Sequence, residues 1–98
     1  MTEHNIDREV PEKILLFIFE HNINNIPVSY ETLYNELDLS EYKPFLGCSN
    51  DLIRLSLEKL FRINMVFEEP EGYLAIKPSY LSYVGNIFEN QELLKGVD

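Results

Sequence analysis

The stretch from Ser49 to Ile76, SNDLIRLSLEKLFRINMVFEEPEGYLAI, restricts the fold more than any other part of the chain. Ile53, Leu57 and Leu60 recur at i, i+4 and i+7, so they line one stripe of a helix capped by Ser49 or Asn50 and running to about Ile63. Asp51, Arg54, Glu58 and Arg62 fall on the opposite face, with Leu55 among them. Asn64 follows at the position where a left-handed residue ends a helix, and Asn is the usual substitute for Gly in that conformation. Met65–Glu68 and Tyr73–Lys77 then read as two short strands. Glu69-Pro70-Glu71-Gly72 supplies the turn between them. A helix that stops on Asn and runs into a hairpin is the predicted centre of the domain.

The flanking segments fit around it. Residues 1–9 are polar and predicted to form a flexible tail. A first helix is expected from about Pro11 to His21, because Pro is tolerated in a first turn and Glu12 suits the positive end of the helix dipole. Ile14, Leu15, Phe17, Ile18 and Phe19 make that helix too apolar for the surface. Ile26-Pro27-Val28 is expected as a short edge strand. Ser29 is a good N-cap for a second helix, with Tyr30, Leu33, Tyr34 and Leu37 on one face. Pro44 and Gly47 mark Asp38–Cys48 as a loop. Pro78-Ser79 is expected to close the hairpin and cap a last helix from about Tyr80 to Leu94.

Bulk properties narrow the class. A chain of 98 residues is one domain, able to bury roughly two thirds of its unfolded surface. Hydrophobic residues are 45% of the sequence, which favours a folded chain over a disordered one. Cys48 stands alone, so no disulfide forms within the chain and a reduced, intracellular setting is expected. MTEHNIDREV is not a secretory signal, and the longest apolar run, Ile14–Phe19, is far short of a membrane span. A soluble, cytoplasmic protein with no membrane partner is the expectation. The net charge of −9 disfavours indiscriminate attraction to polyanions. Between Lys43 and Arg62, however, four basic residues stand against two acidic ones, a local +2. The remainder holds four against fifteen, or −11.

The pattern resembles the winged helix-turn-helix superfamily over about Val10 to Lys77. VSYETLYNELDLS, Val28–Ser40, is similar to the first helix of the turn unit. LIRLSLEKLFRINMV, Leu52–Val66, is similar to a recognition helix leading into a strand. Leu57 and Leu60 precede Asn64 and Val66, where that family commonly carries Leu-x-x-Leu, Gly and Val, and Gly72 marks the wing tip. The resemblance implies an α+β, mostly α chain: a single winged-helix domain over residues 10–78, with a three-helix core and a two-stranded wing. An extra C-terminal helix over residues 79–98 would pack on the domain or sit in a dimer interface. Two features depart from the family. About eleven residues separate Leu37 from Ser49, where a turn of three or four is usual. The wing carries Glu68, Glu69 and Glu71 where a DNA-contacting wing would carry Arg or Lys.

Four sets of residues are candidates for function. Arg54, Lys59 and Arg62, assisted by Lys43, suit phosphate and base contacts from a recognition helix. The same residues suit a solvated face, with Glu58 at i+4 from Arg54 and Arg62 at i+4 from Glu58. Glu68, Glu69 and Glu71 suit a basic protein partner, or simply a hairpin tip kept off other edges. Among the aromatics Tyr30, Tyr34, Tyr42, Phe45, Tyr73, Tyr80 and Tyr83, only Tyr42-Lys43-Pro44-Phe45 interleaves ring and charge as base stacking needs. Leu81, Val84, Ile87, Phe88, Leu93 and Leu94 give the last helix more apolar surface than one face requires, so it packs across the domain or pairs with its twin. His4, His21 and Cys48 are not at metal-ligand spacing, and no Gly-rich phosphate loop or catalytic set is visible. No catalysis, metal or cofactor is expected.

The leading expectation is therefore a non-enzymatic winged-helix regulator, of transcription-regulator type, contacting duplex DNA through its third helix. The alternative is an acidic winged-helix protein-interaction module, an adaptor or an inhibitor of a nucleic-acid-binding partner, with Glu68, Glu69 and Glu71 in its contact surface.

Overall fold

The computed structural model describes residues 6–39, 42 and 49–95. Helix α1 spans Ile6–Ile23, α2 Tyr30–Glu36 and α3 Ser49–Arg62. Strand β1, Val66–Glu68, and strand β2, Leu74–Ile76, precede a 3-10 turn, Pro78–Tyr80, and helix α4, Leu81–Lys95. The fold is α+β and mostly α: the described residues form four helices and one two-stranded antiparallel sheet, which packs on α1 and α3. None of these helices is long and apolar enough to cross a membrane.

Helix α1 is the central element, packed against α3, β2 and α4. It begins five residues earlier than the sequence suggests, so Pro11 lies inside the helix rather than at its start. Pro11 has no N–H for the preceding turn, and that costs the helix a hydrogen bond. Two tertiary contacts hold the turn in place. Val10 is fully buried, which favours folding by about 1.5–3 kcal/mol. Glu9 Oε1 accepts the Tyr42 hydroxyl at 3.0 Å. Of the expected tail, residues 6–9 are thus the first turn of α1, and residues 1–5 lie outside the described residues.

Helices α1 and α3 end in the same way. Asn25 and Asn64 have φ of 57° and 68°, the left-handed region that Asn tolerates best after Gly. The Asn25 N–H donates to Asn22 O at 3.1 Å and the Ile26 N–H to His21 O at 2.8 Å. After α3, the Asn64 N–H donates to Phe61 O and the Met65 N–H to Leu60 O, both at 3.0 Å. This paired 5→2 and 6→1 pattern satisfies carbonyls that a helix end otherwise leaves open. It also turns the chain sharply, so that only Ile63, Asn64 and Met65 separate α3 from β1. Helix α2 starts on Ser29, whose Oγ accepts the Thr32 N–H at 3.1 Å while Thr32 Oγ1 accepts the Ser29 N–H at 3.3 Å. A Thr closes this capping box where Glu or Gln is usual.

In the hairpin, Val66 faces Ile76, Phe67 faces Ala75 and Glu68 faces Leu74. The turn is closed by Gly72 N–H to Glu69 O at 2.8 Å, with Gly72 at φ +90°. The other edge of β2 is covered without a third strand. Its Leu74 N–H donates to Val28 O at 2.7 Å and its Ile76 N–H to Asn22 Oδ1 at 3.3 Å. The edge strand expected over Ile26–Val28 is therefore reduced to one backbone hydrogen bond, since Pro27 has no N–H and Ser29 already begins the cap of α2. Val66, Leu74 and Ile76 point into the core, and Lys77 Nζ lies 5.2 Å from the Phe67 ring centroid on the other face.

One hydrophobic core gathers side chains from every helix and both strands. Ile14 and Ile18 of α1 meet Leu33 of α2, Ile53, Leu57 and Leu60 of α3, the three inward residues of the hairpin, and Val84 of α4. Tyr42, also fully buried, enters this core from the connection between α2 and α3. The last helix is led in by Pro78 and the 3-10 turn, with Lys77 as N-cap and no side-chain cap bond, so Ser79 does not play the capping part expected of it. On α4, Phe88 packs on Phe19 at 5.5 Å between ring centroids. A Cβ at Gly85 would lie 3.4 Å from Phe19 Cζ, so the two helices approach closely there.

Candidate interaction face on helix α3

Helix α3 buries Ile53, Ser56, Leu57 and Leu60 and turns everything between them outward. Its exposed face carries Asp51, Arg54, Leu55, Glu58, Lys59, Arg62 and, one residue past the helix, Ile63. Helical geometry of about 100° per residue sets Arg54 and Lys59 roughly 140° apart, with Arg62 between them. The three basic residues therefore span the outward arc without forming a stripe, and Asp51, Glu58 and Leu55 are interleaved with them. Lys43 lies outside the described residues.

Pairing on this face differs from the i+4 ladder suggested by the sequence. Arg54 Nη2 sits 3.5 Å from Asp51 Oδ1, one turn earlier. Both side chains are more than half exposed, so the pair adds little to stability. Its effect is on charge, because it neutralises the first of the three basic groups. Arg62 makes no ion pair among the described residues. Leu55 and Ile63 are 50% and 55% exposed, and with Lys59 between them they follow i, i+4, i+8 spacing. The sequence places Leu55 on this charged face; its pairing with Ile63, one residue past the helix, as an open apolar pair is added by the structure. The signal was present in the same spacing rule that identified the buried stripe, applied to the other side of the helix.

The acidic hairpin is not three equivalent carboxylates. Glu68 Oε1 accepts the Tyr30 hydroxyl at 3.3 Å, tying β1 to the start of α2. Partial burial of Tyr30, and then the Glu68 charge beside it, raise the Tyr30 pKa above its ordinary 10.0. Glu69 is half-buried and its backbone closes the turn, whereas Glu71 stands exposed near the tip.

The remaining candidates separate clearly. Tyr42 is buried and hydrogen-bonded to Glu9, so it offers no ring to a base; its neighbours Pro44 and Phe45 lie outside the described residues. Tyr30, Tyr34 and Tyr80 are half-buried at the edge of the core, and Tyr73 and Tyr83 are exposed. His21 Nδ1 lies 2.9 Å from Phe17 O and donates to it, and its ring stacks on Phe17 at 4.1 Å, which is a structural role. His4 and Cys48 lie outside the described residues. Among the described residues, no group of three or more His, Cys, Asp or Glu is placed to hold a metal ion.

Comparison with protein-family models, with curated proteins and with solved structures finds no match to this chain.

Proposed function

We propose that this chain is a non-enzymatic winged-helix module that binds a protein partner on the outer face of α3. The order of elements supports the winged-helix reading: three helices precede the hairpin, and Val28, β2 and β1 lie side by side with β2 in the middle. The observation that carries the choice of partner is the open pair Leu55 and Ile63, set among Arg54, Lys59 and Arg62. Protein interfaces combine an apolar centre with a polar rim and favour Arg, and this face has that make-up. A duplex polyanion asks for something else. Affinity for DNA comes mainly from phosphates neutralised by Lys and Arg. Here the outward face of α3 sets three basic residues against Asp51 and Glu58, on a chain of −9, with Glu68, Glu69 and Glu71 in the adjoining hairpin. In the protein-binding reading those hairpin carboxylates form an acidic flank for the same partner.

Contact with duplex DNA is the second reading. The exposed Arg62, with no ion pair among the described residues, is the observation in its favour. Fluorescence anisotropy with mixed-sequence duplex DNA, at low and at physiological salt, separates the two. The protein-binding reading expects no binding that weakens steeply with salt. Tight, salt-sensitive binding that is lost in the Arg54→Ala/Arg62→Ala double variant, with folding intact, would overturn it and return α3 to DNA.

A further inference from the structure

Two segments of this chain lack charge altogether. Residues 21–30, HNINNIPVSY, and residues 78–88, PSYLSYVGNIF, contain no Asp, Glu, Lys or Arg, in a chain where 26% of residues are charged. They are far apart in sequence, and the fold joins them. Asn22, near the end of α1, accepts the Ile76 N–H at the end of β2, two residues before the second segment begins. Further along, Phe19 of α1 packs against Gly85 and Phe88 of α4, so α4 runs back along α1 from that end. The two uncharged segments therefore meet where α1 ends and α4 begins, while Tyr30, at the far end of the first, turns away into α2 beside Glu68. Four large apolar side chains stand open there: Ile23 at 53%, Ile26 at 50%, Leu81 at 40% and Tyr83 at 57% exposure.

We infer that this uncharged end is a self-association surface, and that its occupant is a second copy of the same chain. Charge argues for that occupant. Two molecules of −9 repel each other over most orientations, and the repulsion is least where neither copy carries a charge. A surface without charge, where open apolar side chains stand among the neutral polar groups of Asn24, Asn25, Ser79, Ser82 and Asn86, can also match itself, as a two-fold interface requires. A partner selected by charge would call for acidic or basic groups within these segments, and the two segments hold none; Glu20, Glu31 and Glu89 and the one base Lys77 flank them, and Glu68 reaches Tyr30 at one margin. The face lies on α1 and α4 and does not draw on α3, so it stands whether or not α3 binds a protein.

The test is the mass of the full chain by light scattering and sedimentation velocity over a wide range of concentration. The expected result is a mass rising from the 11.5 kDa monomer toward twice that value. Association should tighten as salt rises, because salt screens the repulsion between copies. That is the opposite sign to a phosphate contact. Tyr83→Glu should weaken association by about tenfold or more, equivalent to about 1.4 kcal/mol. Asn35→Glu, which adds the same charge on the exposed side of α2, should leave it within about twofold. Ile26→Glu, outside any helix, repeats the test from the α1 side and guards against a folding defect in α4. A monomer at every concentration overturns the inference. So does a dimer that Tyr83→Glu and Ile26→Glu, both folded by circular dichroism, weaken no more than Asn35→Glu does.

Discussion

Helices α3 and α4 are nearly equal in length, 14 and 15 residues, and both pack on α1, yet their flanks are built from different chemistry. The α3 side is charged outside and tied locally by polar contacts, Arg54 to Asp51 on the helix and Tyr30 to Glu68 beside it. The α4 side, as far as residue 88, has no charge and is joined to α1 by aromatic packing of Phe19 on Phe88 and over Gly85. The difference shows that one core can be enclosed by two kinds of surface. A charged face stays soluble alone and selects partners by polarity at its rim. An uncharged face with open apolar residues has the make-up of an interaction site that does not select by charge.

The contrast between the two sides of α3 gives the largest expected effect. Leu57 is 1% exposed and Leu55 50%, on the same helix and two residues apart. Leu57→Ala removes methyl groups from the centre of the core and should cost about 2–5 kcal/mol in denaturant unfolding. Leu55→Ala should fall within about 0.5 kcal/mol of the parent protein. A large loss at Leu55 would mean that the outer face of α3 is held within the fold, and the binding surface proposed for it would fail.

That stripe was readable because it depends only on local spacing. Ile53, Leu57 and Leu60 announce a buried face before any tertiary contact is known, as Asn64, Gly72 and Ser29 announce a helix stop, a turn and a cap. Each is a local demand met by a residue suited to it. What was not readable depends on distant partners. The start of α1 moves from Pro11 to Ile6 because Val10 and Glu9 find the core and Tyr42, contacts that no rule on proline anticipates. Tyr42 sits in a basic-aromatic string yet fills the core from between α2 and α3. The strand expected at Ile26–Val28 survives as one hydrogen bond to β2. The uncharged end is the clearest case: each segment is visible in the sequence, and only the fold puts them side by side.

On the α4 side the expected effect is smaller and of opposite sign. Gly85 lies inside a helix, where Gly is less favourable than Ala by roughly 0.5–1 kcal/mol. A methyl at this position would meet Phe19 at 3.4 and 3.7 Å, ordinary packing distances that require little movement. Gly85→Ala should therefore raise the unfolding free energy by up to about 1 kcal/mol. A destabilised variant would show that α1 and α4 are packed too tightly to accept one carbon. The close approach at Phe19 would then be a constraint on the uncharged side as strict as the core is on the charged one.

The smallest effect tests whether the polar ties of the α3 side matter at all. The Tyr30 hydroxyl donates to Glu68, and its pKa is raised first by burial and then by that carboxylate. The folded chain thus holds this proton more tightly than the unfolded chain, whose Tyr30 titrates near 10.0. Any stability gained from the tie is complete below that pH and is lost as pH rises through the folded pKa, when tyrosinate and Glu68 come to repel each other. Tyr30→Phe removes the proton, so the variant should lose less stability than the parent on passing above pH 10, by about a few tenths of a kcal/mol at this half-buried, solvent-screened site. Parallel curves would mean that the contact exerts no force on the fold, and that β1 is held in place by Val66 in the core and by its pairing with β2 alone.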